Sequence, residues 1–224
     1  MNKSNFGFVV GLLIGIAFLI GFSNIARADT RVSQGTGFAV TSDGIIATAY
    51  HVAHPKSPIG VLVIIVDDKG YPATIIADDR HHDLSLLKVN VPHPLHVARL
   101  ALPESNQRIN KEGYAGYLEG RFLALPGITQ KSDFFDSMTY DITMTGQVCA
   151  GMSGGDITRD DGAIVGMILA RGEADDLTQQ AHECGSPSFG NSSQHVLDLL
   201  ASIGKRSVPN YKFSEMVIIL QEIQ

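Results

Sequence analysis

The chain has 224 residues, of which 44% are hydrophobic and 18% are charged, and its formal net charge at pH 7 is −6. Sequence-independent binding of nucleic acid depends on Lys and Arg side chains that neutralise phosphates. A net-acidic chain with no basic stripe therefore predicts no nucleic-acid partner.

The first 28 residues have the pattern of an export signal. Lys3 precedes an uncharged apolar stretch at residues 6–22, and the tripeptide Ala-Arg-Ala follows at residues 26–28. This pattern predicts a secretory signal peptide over residues 1–28, cleaved after Ala28. The alternative is an uncleaved membrane anchor at residues 6–22, because a spanning helix needs about 17 to 25 apolar residues. Both interpretations place the remainder outside the cytoplasm, secreted or periplasmic, and only the anchor implies contact with a membrane.

Residues 29–204 contain short β-rich runs separated by turn residues. Turn sequences that end in glycine lie at residues 42–44, 67–70 and 159–162. Regular short strands with hairpin turns predict an antiparallel sandwich or barrel, and the length suits one domain. The predicted strands cover residues 37–40, 45–48, 61–66, 73–77, 84–89 and 163–169.

The last part of the chain predicts one short helix. Its apolar face consists of Val196, Leu197, Leu199, Leu200 and Ile203. This spacing fits a helix of about two turns, with Gly204 as its stop. We assign no function to the tail at residues 205–224, whose apolar run at residues 216–220 is ambiguous between strand and helix.

The chain has two cysteines, Cys149 and Cys184, and both lie beyond the predicted signal peptide. In an oxidising compartment an even pair predicts one disulfide bond, and two free thiols are the alternative. A bond that closes a loop of about 35 residues would stabilise the fold by roughly 3 to 4 kcal/mol in the chain-entropy model.

A serine lies among glycines in the sequence Gly-Met-Ser-Gly-Gly at residues 151–155. Glycines permit a sharp turn that exposes the serine and directs main-chain N–H groups at one point. A serine hydroxyl is a weak nucleophile, so Ser153 needs a base and a group that orients the base. Alone, the motif is equally typical of an ordinary turn.

A histidine and an aspartate lie in the two contexts that such a nucleophile requires. His51 follows an apolar strand, and histidine titrates near neutrality, which suits proton transfer. Asp83 precedes the apolar strand at residues 84–89, where a partly desolvated carboxylate can accept a hydrogen bond from an imidazole. His51, Asp83 and Ser153 are therefore the candidate catalytic residues.

Together these segments resemble the trypsin-like (chymotrypsin-fold) serine proteases, especially the bacterial branch that includes the HtrA-type enzymes. The matching segments are residues 35–38 (Gly-Thr-Gly-Phe), 48–52 (Thr-Ala-Tyr-His-Val), 83–87 (Asp-Leu-Ser-Leu-Leu) and 151–155. The resemblance covers residues 34–172 and keeps the family's order of His, Asp and Ser. It implies an all-β fold of two antiparallel six-stranded β-barrels with a short C-terminal helix, and a mechanism that uses no cofactor or metal.

The resemblance also implies roles for the candidate residues. Ser153 attacks the scissile carbonyl of a protein or peptide substrate and forms an acyl-enzyme. His51 takes the hydroxyl proton, and Asp83 orients the imidazole. The N–H groups of Gly151 and Ser153 hold the oxyanion.

A specificity pocket is implied beside the serine. Gln147 would lie near its floor, and its wall would be formed by Leu169, Ala170 and Arg171. Because position 147 is not an aspartate, a preference for Arg or Lys is disfavoured and an uncharged side chain is favoured. Cys149 and Cys184 are placed like the disulfide that forms one wall of this pocket in many family members.

The sequence departs from the family at two points. Asp156 lies where the family usually has proline, which predicts an altered local turn without loss of a reacting group. The chain also ends too soon to contain the PDZ domain usual in HtrA-type enzymes, so we expect no regulation that depends on one.

Two other functions compete with a protease. One is a trypsin-fold protein that binds without turnover, although all three reacting residues are present. The other is a metal-binding protein that uses His81, His82, His93 and His96, although no cysteine or carboxylate cluster completes a familiar zinc spacing. The sequence favours an exported serine endopeptidase over both.

Overall fold

The computed structural model describes residues 34–54, 61–116, 121–131, 140–172, 184–209 and 220–223. The chain divides into two units, Met1–Thr30 and Arg31–Gln224. The predicted signal peptide and its alternative, the anchor, lie outside the described residues. Within the described residues, no helix is long and apolar enough to cross a membrane.

The described residues of the second unit consist mainly of short strands. In chain order the strands are β1 Gly37–Thr41, β2 Ile45–Ala49, β3 Val61–Val66, β4 Lys69–Asp79, β5 Leu84–Val89, β6 Arg108–Ala115, β7 Arg121–Lys131, β8 Ile142–Met144, β9 Val148–Cys149, β10 Asp156–Arg159, β11 Ile164–Arg171, β12 Cys184–Gly185, β13 Ser188–Ser192 and β14 Leu220–Ile223. The helices are α1 Tyr50–Ala53 and α2 Ser193–Ser202.

The first sheet has six strands in the order β1-β2-β5-β4-β3-β14. The pairing of β2 with β5 places Ala49 opposite Leu84, so that the end of β2 lies beside the start of β5. His51 follows that end of β2 and Asp83 precedes that start of β5, so this register brings them together. Strand β14 comes from the predicted tail and pairs with β3.

The second sheet is a closed barrel in the order β10-β11-β13-β8-β7-β6. Strands β9 and β12 form a separate antiparallel pair. The segment between β9 and β10 contains the Gly-Met-Ser-Gly-Gly motif, so the candidate nucleophile belongs to the barrel half. The candidate base and acid belong to the first sheet.

Strand β11 contributes side chains to two hydrophobic cores. Met167 and Leu169 join the core of the first sheet, whereas Val165 and Ile168 join the core of the barrel. This shared strand places the candidate residues of the two halves at a common boundary.

Helix α2 closes the first core as its apolar spacing predicts. Val196 and Leu200 are buried in that core. The side chain of Ser192 caps the helix by accepting a hydrogen bond from the amide of Gln194 at 3.2 Å. Gly204, with φ at 70°, follows the last turn, where a left-handed residue ends a helix.

The predicted all-β fold of two antiparallel six-stranded β-barrels with a short C-terminal helix is confirmed in its class, its strand numbers and its helix. Six predicted strands correspond to β1, β2, β3, β4, β5 and β11. The barrel half is closed by hydrogen bonds, whereas in the described part of the first sheet β1 and β14 are edges that do not pair with each other.

Candidate active site

His51 and Asp83 are joined through both the backbone and the side chain of the histidine. The amide of His51 donates to Asp83 Oδ1 at 2.9 Å, and His51 Nδ1 lies 2.6 Å from Asp83 Oδ2. A neutral imidazole that donates from Nδ1 presents Nε2 as an acceptor. The side chain of His51 is 48% exposed and that of Asp83 is 19% exposed, so the base is accessible and the acid is largely shielded.

The backbone around Asp83 supports this contact. The carbonyl of Asp83 accepts a hydrogen bond from the amide of Tyr50, the first residue of α1, at 2.9 Å. Burial and the negative charge of Asp83 raise the pKa of Tyr140. The carboxylate is therefore oriented by the start of α1 on one side.

The loop at residues 151–155 takes a shape that requires glycine at two positions. Gly151 has φ at 91° and Gly154 has φ at 86°, both in the left-handed region that residues with a Cβ rarely adopt. A Cβ on Gly151 would lie 2.6 Å from the carbonyl oxygen of Tyr114. A Cβ on Gly154 would collide with Thr36 and Thr48, so this loop packs directly on the end of β2 that leads to His51.

Thr36 connects the loop to the first sheet. Its amide donates to the carbonyl of Ser153 at 2.8 Å, and its hydroxyl donates to the carbonyl of Gly151 at 2.8 Å. The same hydroxyl accepts from the amide of Tyr114 at 2.9 Å. Sequence reasoning missed this residue as part of the site, although the Gly-Thr-Gly sequence at residues 35–37 is the signal that could have identified it.

Two amides of the loop are available for a ligand. The amides of Met152, Gly154 and Gly155 donate to backbone carbonyls at 3.1, 2.7 and 2.9 Å. Within the described part of the chain, the amides of Gly151 and Ser153 have no acceptor. This pattern leaves two N–H donors in one loop, and an oxyanion is stabilised where such donors point at one position.

The hydroxyl of Ser153 is directed to strand β11. Its Oγ lies 3.4 Å from the carbonyl oxygen of Leu169, a long hydrogen bond, and it is not hydrogen-bonded to His51. Hydrogen bonds between catalytic groups are often long or unformed when no substrate is present.

A cavity of about 280 Å³ opens beside Ser153. It is lined by Val148, Cys149, Ala150, Ser153, Ile168, Leu169, Ala170 and Arg171. Leu169, Ala170 and Arg171, which the sequence predicts for a pocket wall, line this cavity. Gln147 is exposed and is not among its lining residues.

Cys149 and Cys184 form a disulfide bond. They are directly opposite each other in the pairing of β9 with β12. The predicted disulfide is therefore present, and Cys149 contributes to the wall of the cavity.

Two ionisable side chains near the loop have unusual environments. Burial and the negative charge of Glu112 raise the pKa of Asp156 to about 7. Burial lowers the pKa of Lys111 to about 8, and its Nζ donates to the carbonyl of Thr145 at 2.6 Å. Asp156, which the sequence analysis identified as a departure, begins β10 immediately after the loop.

Three of the four histidines considered for a metal site pair instead with single carboxylates or aromatic rings. His82 Nδ1 lies 2.6 Å from Asp79 Oδ2, and His93 Nε2 lies 3.1 Å from Asp67 Oδ2. The ring of His81 meets that of His82 edge-on. Among the residues that the structure describes, no three or more His, Cys, Asp or Glu side chains are arranged to hold a metal ion.

The fold and this arrangement define a trypsin-like class of protein. A family model described as a trypsin-like peptidase domain matches residues 35–167, more than half of the chain. The chain therefore belongs to the trypsin-like peptidase family, and its relatives include HtrA-family proteases.

Individual relatives cover different parts of the chain. It is 32% identical over 168 residues to the magnetosome formation protease MamE of Paramagnetospirillum magneticum, across 70% of this chain and 23% of MamE. It is 29% identical over 94 residues to a probable periplasmic serine endoprotease DegP-like of Rickettsia prowazekii, across 42% of this chain and 18% of that protein. The matches thus span less than a quarter of the length of these two relatives.

A solved structure shows the same fold. The active form of the protease Rv3671c from M. tuberculosis superposes with a TM-score of 0.60 at 24% identity, across 80% of this chain and 77% of that chain.

Proposed function

We propose that this protein is an exported serine endopeptidase that hydrolyses peptide bonds through Ser153, His51 and Asp83. The observation that carries the proposal is the double contact of His51 with Asp83 beside a loop whose Gly151 and Ser153 amides have no acceptor in the described chain. Membership in the trypsin-like peptidase family supports it.

In the proposed reaction, the Ser153 hydroxyl turns from the Leu169 carbonyl to His51 Nε2 and attacks the scissile carbonyl carbon. His51 takes the hydroxyl proton, and Asp83 stabilises the imidazolium that results. The tetrahedral intermediate collapses to an acyl-enzyme as His51 protonates the leaving amine. Water then repeats the sequence on the acyl-enzyme and releases the acid product.

The amides of Gly151 and Ser153 stabilise the negative oxygen of the tetrahedral intermediate. One such donor is typically worth roughly 3 to 4 kcal/mol of the activation barrier. The contacts of Thr36 with the carbonyls of Gly151 and Ser153 fix the two peptide planes that flank these donors.

The cavity beside Ser153 accepts the substrate side chain that precedes the cleaved bond. Its walls are largely aliphatic, from Val148, Ile168 and Leu169, which favours an uncharged side chain. Arg171 is the cation at this wall, so a lysine or arginine side chain would meet a like charge. Gln147, which is exposed and does not line the cavity, has no role in this proposal.

Export is proposed on three grounds. The first 28 residues carry a signal-peptide pattern, cleaved after Ala28. A disulfide bond joins Cys149 to Cys184, which suits an oxidising compartment. A relative is named as a periplasmic endoprotease.

A catalytically silent protein of the same fold is the second candidate. The observation that favours it is the hydroxyl of Ser153, which contacts the Leu169 carbonyl and not His51. Such a protein would bind peptides in the cavity without turnover.

Cleavage of a peptide library by the purified protein distinguishes the two candidates. We expect wild-type protein to cleave after uncharged side chains and Ser153→Ala to cleave nothing above background. Ser202→Ala, which removes a hydroxyl from the exposed end of α2, is the matched control and should behave as wild type. Cleavage that persists in Ser153→Ala contradicts the proposed mechanism, and peptide binding without cleavage by wild type supports the silent candidate.

A further inference from the structure

The turn that carries Asp83 is held on its far side by side chains that the proposed chemistry does not use. They are Asp79, His82, Asp141, Asn191 and His195, here called the histidine clasp. Asp79 ends β4 and His82 lies in the turn between β4 and β5, whereas the other three belong to or adjoin β8, β13 and α2. The clasp therefore connects the sheet that carries the base to the half that carries Ser153.

Asp83 depends on such support because its own turn holds it weakly. Its φ of 49° lies in the left-handed region, which is uncommon for a residue with a side chain. Within the turn, the amide of Asp83 donates to the carbonyl of Arg80 at 3.4 Å, a long hydrogen bond. A rotation of this turn would move both carboxylate oxygens away from His51.

His82 is the member of the clasp that precedes Asp83 in the chain. Its amide and its Nδ1 lie 3.2 Å and 2.6 Å from the two carboxylate oxygens of Asp79. Its carbonyl accepts a hydrogen bond from Asn191 Nδ2 at 2.7 Å. That carbonyl belongs to the peptide unit whose nitrogen is the amide of Asp83, so Asn191 fixes the peptide plane next to the carboxylate. Asn191 is only 2% exposed.

The other half of the clasp is built around His195. Its ring stacks on the ring of His82, with centroids 3.7 Å apart and planes 18° apart. Its Nε2 lies 3.0 Å from Asp141 Oδ2. The amide of Asp141 donates to Asn191 Oδ1 at 3.2 Å, and Asp141 Oδ1 accepts from the amide of Ser192 at 2.7 Å. The contacts form a closed circuit from His82 through His195 and Asp141 to Asn191 and back.

We propose that Asn191 and His195 are positioning residues for Asp83. Asn191 sets the peptide plane, and His195 holds the ring of His82 and connects it through Asp141 to the barrel half. The inference rests on the proposed function, because positioning Asp83 matters to turnover only if Asp83 orients the base. Tyr140, whose pKa is raised by burial and by the charge of Asp83, precedes Asp141 and lies on the same side.

The test compares His195→Ala with His93→Ala in the full chain. Both substitutions remove a histidine paired with one aspartate, but His93 pairs with Asp67, away from the Asp83 turn. We expect His195→Ala to lower kcat by about tenfold to a hundredfold, the effect of a misplaced catalytic group. We expect KM to change by less than about twofold, because the cavity is untouched. His93→Ala should leave both constants unchanged.

A proton NMR measurement reports on the same contact without requiring turnover. The strongly hydrogen-bonded proton between His51 Nδ1 and Asp83 should give a downfield resonance in wild type and in His93→Ala. We expect it to be lost or broadened in His195→Ala. If wild-type protein shows the resonance but hydrolyses no peptide, the proposed function fails while the spectra still test the clasp.

Asn191→Asp provides a second variant, because it retains the oxygen that Asp141 contacts and removes the donor to His82. It should also lose the resonance and lower kcat. An unchanged resonance and unchanged kcat in His195→Ala overturn the proposal. If His195→Ala does not fold, the same result in Asn191→Asp overturns it, and a wild-type spectrum without the resonance overturns it as well.

Discussion

The two halves of the candidate site are held in different ways. In the first sheet, His51 contacts Asp83 through its amide at 2.9 Å and its ring at 2.6 Å. In the barrel half, the one hydrogen bond of the Ser153 hydroxyl within the described residues is to a backbone carbonyl, at 3.4 Å. The candidate base and acid are thus joined to each other, whereas the candidate nucleophile is not hydrogen-bonded to the candidate base.

The backbone of the loop at residues 151–155 makes more hydrogen bonds to its surroundings than the side chain of Ser153 does. The amide of Gly154 donates to the carbonyl of Ile168 at 2.7 Å, and Thr36 contacts the carbonyls of Gly151 and Ser153. The loop is therefore fixed to both sheets, and the hydroxyl of Ser153 is the part that moves in the proposed reaction. The substitutions below test the two halves separately, from the largest expected effect to the smallest.

Removal of the base tests the assembled half most severely. His51→Ala should lower kcat by roughly a million-fold, because the nucleophile then has no group to take its proton. The measurement is steady-state hydrolysis of the best library peptide, with His93→Ala as the control. A loss below tenfold would mean that the preformed His51–Asp83 contact serves structure and not proton transfer.

The acid of the same half is tested by Asp83→Asn. The amide keeps the size of the carboxylate but favours the wrong tautomer of His51, so kcat at neutral pH should fall by about 10⁴-fold. Asp67→Asn, which alters the exposed pair with His93, should have no effect. Equal activity of the two variants in the same assay would contradict the role of Asp83.

The fixed backbone of the barrel half is tested by Thr36→Val. The substitution preserves shape and removes the hydroxyl that holds the carbonyl of Gly151, so the oxyanion donors should lose their alignment. We expect kcat to fall by about tenfold to a hundredfold with little change in KM. Thr36→Ser should restore most of the rate. If Thr36→Val is as fast as wild type, the hydroxyl of Thr36 does not align the donors.

The smallest expected effect is on the stability of the folded protein and concerns Asp156, which directly follows the loop. The pKa of Asp156 is raised from its ordinary value of 3.8 to about 7, so between these values the folded protein holds a proton that the unfolded chain has released. The contribution of this group to stability therefore falls as the pH rises from about 4 to about 7. Asp156→Asn resembles the protonated form and relieves the repulsion from Glu112.

We expect Asp156→Asn to raise Tm by about 2 to 6 °C at pH 8 and to leave it nearly unchanged near pH 4. Thermal unfolding at the two pH values measures this difference, and Asp160→Asn, in an exposed turn, is the control. A gain of the same size at both values would show that the effect comes from packing and not from the charge.

Much of the first half could be predicted from the sequence because its signals are local. Apolar runs bounded by Asp-Gly turns predicted β1 to β5, and Asp67 and Asp68 indeed adopt the positive φ of a tight hairpin. Strands β6 and β7 were not predicted. Strand β6 places Lys111 in the interior, where its Nζ is satisfied by the carbonyl of Thr145, and this contact is invisible to a hydrophobic pattern.

The residues of the candidate site also divide into those that the sequence predicted and those that it did not. The motifs predicted His51, Asp83 and Ser153 as a group, and the structure joins His51 to Asp83. The Gly-Thr-Gly sequence marks the segment of Thr36, but its contact with Gly151 spans 115 residues of the chain, and the contact of Asn191 with His82 spans 109. Such contacts depend on how two sheets meet, and no local spacing encodes them.

The most direct test of the central claim is the reaction of Ser153 with a fluorophosphonate, because this reagent requires an activated serine but no particular substrate. Peptide mapping by mass spectrometry should find the adduct on Ser153 in wild type. The labelling rate should fall sharply in His51→Ala and Asp83→Asn, and the adduct should be absent in Ser153→Ala. A folded wild-type protein that is not labelled, or an adduct that remains in Ser153→Ala, would contradict the account.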